Sequence, residues 1–242
     1  MGTIIDDPRL RERRSVFTDR HDAGRQLGDL VRTLPGVRDP LVFAIPARGV
    51  PVGVEVAWAL GAPLALAVVR KIQVPGKTEA GLGAVTWDGR VLINTDLQRA
   101  LGLTEEVIGI ATEKARENVQ DRITRFRAGT KLPDPAGKTC ILTDDGLASG
   151  FTMLAALESL RNRHHVKILV AVPTASAGSA EIVSREVDKL ICLNIRTGPC
   201  FAVAEAYKRW YELSDGQVIA ELSYARPGAK PRDPPPPSRA GP

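Results

Sequence analysis

Cysteine is scarce in this sequence. Cys140, Cys192 and Cys200 are an odd number at wide spacing, so neither a disulfide framework nor a zinc site follows from them. Cys140 and Cys192 lie in apolar runs and read as small buried hydrophobes. Histidine is equally sparse: His21, His164 and His165 form no ligand constellation. No apolar run exceeds about eight residues, too short to cross a bilayer. Residues 1–14 are polar and charged, without the apolar core of a signal peptide, and the expectation is a cytoplasmic protein with no membrane partner. Blocks of five or more like charges are absent too. The formal net charge of +5 therefore does not amount to a nucleic-acid footprint, and nucleic acid is not expected as a partner. The same basicity suits a pocket for a polyanionic small molecule. A Gly-x-x-x-x-Gly-Lys-Ser/Thr loop is missing, and the one acidic pair lacks Asp-x-Asp spacing, which argues against kinase or phosphatase chemistry.

What is present suits one α/β domain: 242 residues, 43% hydrophobic and 25% charged. Five aliphatic runs recur, at Leu41–Ile45, Leu64–Val69, Thr139–Thr143, Val166–Val172 and Lys189–Leu193. Each is nearly continuous, as expected of parallel strands covered on both faces. Helical patterns lie between them, at Asp22–Leu34, Pro51–Leu60, Thr104–Phe126, Thr152–Asn162 and Ser176–Val187. The alternation predicts an open, mostly parallel sheet flanked by helices. Gln73–Gly89 breaks the rhythm. It is glycine-rich, carries Pro75-Gly76-Lys77, and predicts a projecting loop with a β-hairpin from Gly83–Trp87 and Arg90–Asn94. From Ala225 onward Pro, Gly, Arg and Ala dominate, which predicts a disordered tail over 225–242 behind a domain over 1–224.

The chemistry concentrates in Thr139–Leu154. An apolar strand ends in Asp144-Asp145, and the small-residue loop Gly146-Leu147-Ala148-Ser149-Gly150 opens a helix at Phe151-Thr152. Backbone N–H groups at a helix N-terminus, with the Ser149 and Thr152 hydroxyls, suit a phosphate monoester. Gly150 permits positive φ or close backbone approach. The carboxylates cannot hold a phosphate, but they can accept from vicinal hydroxyls or bind hydrated Mg²⁺. A phosphate with a diol a few ångströms away describes ribose 5-phosphate, and the end of a strand in an open sheet is where such folds bind ligands.

This segment resembles the phosphoribosyl-pyrophosphate (PRPP) signature of type I phosphoribosyltransferases. By that resemblance Asp144 and Asp145 face the ribose hydroxyls and hold Mg²⁺ through water, while Ala148 to Thr152 hold the 5′-phosphate. Ile45-Pro46-Ala47-Arg48-Gly49 resembles the family's pyrophosphate loop, so Ala47, Arg48 and Gly49 are expected at the leaving group, with a cis peptide at Ala47–Arg48. Arg70-Lys71 resembles the cationic pair that meets pyrophosphate in adenine-type members. Phe17–Gly24, Val69–Val85, Pro199–Val203 and Tyr207 are similar to an uncharacterised bacterial and archaeal branch, so the resemblance spans about Val16 to Leu222. Phe151 stands where a small residue is usual.

The resemblance implies transfer of 5-phosphoribosyl from PRPP to a nucleobase-like nitrogen acceptor with release of pyrophosphate. Arg48, Arg70, Lys71 and Asp145 are the residues expected to carry catalysis, with Mg²⁺ as cofactor and a homodimer as the assembly. A hood from about residues 1–20 and 195–224 is expected to grip the acceptor through Phe201, Tyr207 and Trp210, flat side chains in a sequence only 5% aromatic. The alternative is a non-catalytic PRPP- or nucleotide-binding regulator. No helix-turn-helix candidate lies outside the core, which favours the enzyme.

Overall fold

The computed structural model describes residues 2–74, 77–127, 133–161, 166–198 and 200–225, with the side chains of 77–81 and 127 left aside. Pro75-Gly76, the Glu79 side chain, His164-His165, Pro199 and the tail over 226–242 lie outside the described residues.

In chain order the elements are β1 (Thr3–Asp6), α1 (Arg20–Thr33), β2 (Pro40–Ala44), α2 (Gly49–Leu60), β3 (Leu64–Leu66), β4 (Val69–Val74), β5 (Lys77–Thr86), β6 (Val91–Ile93), α3 (Thr95–Ala100), α4 (Glu105–Arg127), β7 (Thr139–Thr143), α5 (Phe151–Arg161), β8 (Lys167–Ser176), α6 (Ala177–Ser184), β9 (Lys189–Arg196) and α7 (Asp215–Tyr224), with a 3₁₀ turn at Val203–Ala206. Six strands form a parallel sheet in the order β1-β9-β8-β7-β2-β3. β4, β5 and β6 form a second, antiparallel sheet.

The five aliphatic runs are all strands, but Leu64–Val69 is not one continuous strand. Leu64–Leu66 pairs with β2, and the Ala67 N–H still reaches the Ala44 carbonyl; Val69 then turns away to pair with Thr86 in the small sheet. Ala67 and Val68 are fully buried where the chain changes sheets, so the hydrophobic run stays unbroken and hides the switch. β1 is a further departure. Part of the segment expected in the hood instead adds an edge strand beside β9.

The sheet has two covered faces. One core contains Phe17, Leu27, Val31, Val52, Val56 and Ile141; the other contains Phe43, Leu142, Met153, Leu157, Val170 and Trp87. Helices α1 and α2 approach closely because α1 presents glycine at i and i+4. A Cβ on Gly24 would lie 2.8 Å from the Glu55 Cβ, and one on Gly28 2.7 Å from the Ala59 Cβ. Helix starts are capped as the residue types predict: Asp19 accepts from the Asp22 N–H, Thr104 from Val107, and Ser214 forms a capping box with Gln217. Among the described residues no helix is long and apolar enough to cross a membrane.

Candidate active site

The carboxyl ends of β2 and β7 lie side by side, with Ala44 opposite Thr143. The two loops that leave them therefore face each other across one cavity of about 490 Å³, lined by Pro46 to Arg48, Asp144 to Gly150 and Thr152, with Arg70 and Lys71 on the wall supplied by β4. Gly49 makes the close approach possible, since a Cβ there would come within 2.8 Å of the Asp144 Cα. Ten of the expected donor-site residues thus meet in one place: Ala47, Arg48, Asp144, Asp145, Gly146, Leu147, Ala148, Ser149, Gly150 and Thr152.

Three expectations change. Gly49 does not line the cavity: its N–H donates to the Ile45 carbonyl as α2 begins, leaving the Ala47 and Arg48 N–H groups without a partner among the described residues. Phe151 also lies off the cavity and packs against the core, which is how a large side chain is accommodated there. The cis peptide is Pro46–Ala47, one bond earlier than expected. Arg48 already has helical backbone angles (φ −68°, ψ −33°), so the chain must turn before it.

The Gly146–Gly150 loop is fixed from below. Leu147 exchanges backbone hydrogen bonds with Thr174 and Ser176, and the Ser176 and Ser179 hydroxyls both donate to the Ala148 carbonyl. Gly150 has φ +72°, the conformation its residue type permits. The Ala148, Ser149 and Gly150 N–H groups have no partner among the described residues, as an anion cradle at a helix start requires.

The acid pair is costly as it stands. Burial and the Asp145 charge push the Asp144 carboxyl well above its ordinary value; it accepts a hydrogen bond from the Asp145 N–H, at 2.8 Å. Burial also raises Asp145, though the adjacent Arg20 guanidinium opposes this. Arg20, at the start of α1, is fully buried. Its Nε donates to the Asp145 carboxylate at 3.0 Å, its Nη1 to the Tyr211 carbonyl at 2.7 Å, and its guanidinium lies 4.0 Å from the Trp210 ring centroid. Arg20 sits in a segment similar to the bacterial and archaeal branch, yet 125 positions from its partner; nothing local signals the contact.

The expected acceptor aromatics are elsewhere. Tyr207 is buried beneath the site, its hydroxyl donating to the Asp145 carbonyl at 2.6 Å, its ring against Phe17 and Trp210. Burial raises its phenol well above the ordinary range. Phe201 stacks under Arg196, away from the cavity. Trp210 lies against Arg20 and Arg48. The hood residues that do line the cavity are Val203, Glu212 and Leu213. A third cation on the β4 side, Arg122 from α4, was also unexpected, since α4 reads as a polar solvated helix. Burial and then repulsion from Arg122 lower the Arg70 pKa, and the buried Arg70 Nε has no hydrogen-bond partner among the described residues.

Residues 22–208 match the phosphoribosyl transferase domain family. The chain belongs to that family. It is 36% identical over 213 residues to a Mycobacterium tuberculosis protein named "putative phosphoribosyl transferase", represented from two strains, and that match covers 87% of this chain and 47% of the relative. The chain thus spans about half the length of the curated relatives it matches. The crystal structure of the Thermus thermophilus protein TT1426 is 30% identical, with a TM-score of 0.72, covering 85% of this chain and 97% of that one. The open parallel sheet with its small antiparallel companion is a type I phosphoribosyltransferase fold.

Proposed function

We propose that this family member transfers 5-phosphoribosyl from PRPP to a nitrogen of a nucleobase-like heterocycle, releasing pyrophosphate. The observation that carries the reading is one cavity lined by an acid pair, by a loop whose Ala148, Ser149 and Gly150 N–H groups have no partner among the described residues, and by Arg48, Arg70, Lys71 and Arg122. A molecule with a 5-phosphate, a 2,3-diol and a diphosphate meets a complementary group at each end.

The nitrogen lone pair forms the new bond to C1 while the C1–O bond breaks, and the electron pair leaves with pyrophosphate. Charge develops on the leaving oxygens, so the cations opposite the cradle stabilise the transition state more than the ground state. The orphaned Arg70 Nε, buried among positive charge, fits an anionic group that arrives with substrate.

Asp144 and Asp145 fit hydrated Mg²⁺. They are desolvated carboxylates with raised pKa values, and among the described residues Asp144 has no cationic hydrogen-bond partner. Among the described residues no group of three or more His, Cys, Asp or Glu is placed to hold a metal, so the ion's other ligands would be water and phosphate oxygens. Bound there, it would neutralise phosphate charge. The reading includes a cytoplasmic homodimer, for which light scattering should give twice 26.0 kDa.

Isothermal titration of PRPP with Mg²⁺ tests the donor site. Wild type should bind in the micromolar range, and Asp144→Asn/Asp145→Asn should lose ~30-fold or more, as expected when charged hydrogen-bond acceptors are removed. A folded wild type that binds no PRPP would refute the assignment.

A further inference from the structure

Arg48, which the reading above assigns to the diphosphate, is not idle in the absence of ligand. Its Nη2 donates to the Glu212 Oε1 at 2.6 Å and its Nε to Oε2 at 3.2 Å, a two-pronged grip on a carboxylate. A guanidinium meets one oxygen pair of a phosphate with the same fork. Glu212 therefore stands, at Arg48, where a phosphate would. Both partners are substantially exposed, with side chains 52% and 68% accessible, and such a pair holds weakly enough for a ligand to separate it. Glu212 also lines the same cavity, as do Val203 and Leu213.

We propose that Glu212 is the specificity-determining residue of the acceptor site, masked by Arg48 until a diphosphate draws the guanidinium away. The inference rests on the donor-site reading above. Once Arg48 turns to phosphate, Glu212 is left as a free carboxylate in a cavity that the aliphatic Val203 and Leu213 also line. That combination accepts N–H bonds from the edge of a flat ring whose faces meet aliphatic groups. It suits a heterocycle with an exocyclic amino group and repels one carrying a carboxylate. Donor binding thus exposes the carboxylate that selects the acceptor.

The test uses equilibrium binding, so it does not depend on knowing the natural acceptor. Inorganic pyrophosphate is titrated into wild type and Glu212→Gln. Removing the internal competitor should tighten pyrophosphate about two- to fivefold, the range expected for an exposed ion pair. Adenine, as the amino-bearing probe, and orotate, as the carboxylate-bearing one, are then titrated into each protein loaded with pyrophosphate. Adenine should bind loaded wild type more tightly than loaded Glu212→Gln, and more tightly than orotate binds loaded wild type. Pyrophosphate affinity unchanged or weakened in Glu212→Gln would overturn the proposal, as would adenine binding no better to loaded wild type. Those failures leave the donor site standing. Absence of pyrophosphate binding to folded wild type would instead strike the donor-site reading, and this inference with it.

Discussion

At the scale of single residues, the site is held by groups that never touch its cavity. Tyr207 fixes the Asp145 carbonyl from beneath, while Arg20 fixes the carboxylate of the same residue. Tyr207→Phe keeps the ring packing and removes one buried hydrogen bond, so thermal unfolding should show a loss of ~0.5–1.5 kcal/mol. Arg20→Met should be far more damaging to PRPP affinity than its distance from the phosphates suggests, because Asp145 would lose its charged partner; titration of the folded variant checks this. That residues 144–150 and 152 would shape one cavity was legible because their features are local: acids, small residues and hydroxyls in nearly consecutive positions. Arg20 and Arg122 were not, because each reaches the site through tertiary packing. The place of the expected aromatics, off the cavity lining, was hidden for a related reason. Tyr207, Phe201 and Trp210 are flat enough to stack on a base, but they are also flat enough to pack under an arginine, and sequence does not distinguish the two.

At the scale of elements, three helices meet on one side chain. His21 from α1 lies between Glu55 of α2, at 2.9 Å, and Glu221 of α7, at 3.3 Å, with Arg25 3.6 Å from Glu55. Burial alone would lower its pKa, but hydrogen bonds to Glu221 and Glu55 raise it from 6.5 to about 9. A raised histidine stabilises the fold fully below its unfolded value and loses that contribution as pH rises through the folded one. Unfolding free energy should therefore decline between pH 6.5 and about pH 9. His21→Leu should cost ~3–5 kcal/mol near neutral pH by removing the cation that the two carboxylates share, and the deficit should shrink above pH 9. Denaturant melts of both proteins across that range give the answer. Between α1 and α2, Gly28→Val should destabilise by ~1–3 kcal/mol, since the added atoms meet Ala59 at once. The central strands and the helices between them were legible because parallel strands buried on both faces make long apolar runs. β1 was not, being four residues at an edge with half its positions exposed, and the same is true of the break between β3 and β4, where buried apolar residues continue through the switch.

At the scale of the whole molecule, the cavity is polarised. Acids from the main sheet face Arg70, Lys71 and Arg122 from the small sheet and α4. Pyrophosphate binding should weaken steeply as salt rises, because the attraction is largely one of charge. Arg122→Ala should flatten that salt dependence as well as lowering affinity; titrations between low and physiological ionic strength would show both. Net charge alone could not have revealed this, since an overall balance of +5 says nothing about how the two signs are sorted.

The family match ends at Lys208, and begins at Asp22. Arg20 lies just before that stretch, and Trp210, Tyr211 and Glu212 lie just after it. A fragment trimmed to 22–208 would keep every residue of the phosphate cradle and both aspartates. It would still lose the arginine clamped on Asp145, the ring that arginine rests on, and the carboxylate paired with Arg48. The stretch that the family model matches is thus shorter than the stretch whose side chains hold Asp145 and Arg48 in place.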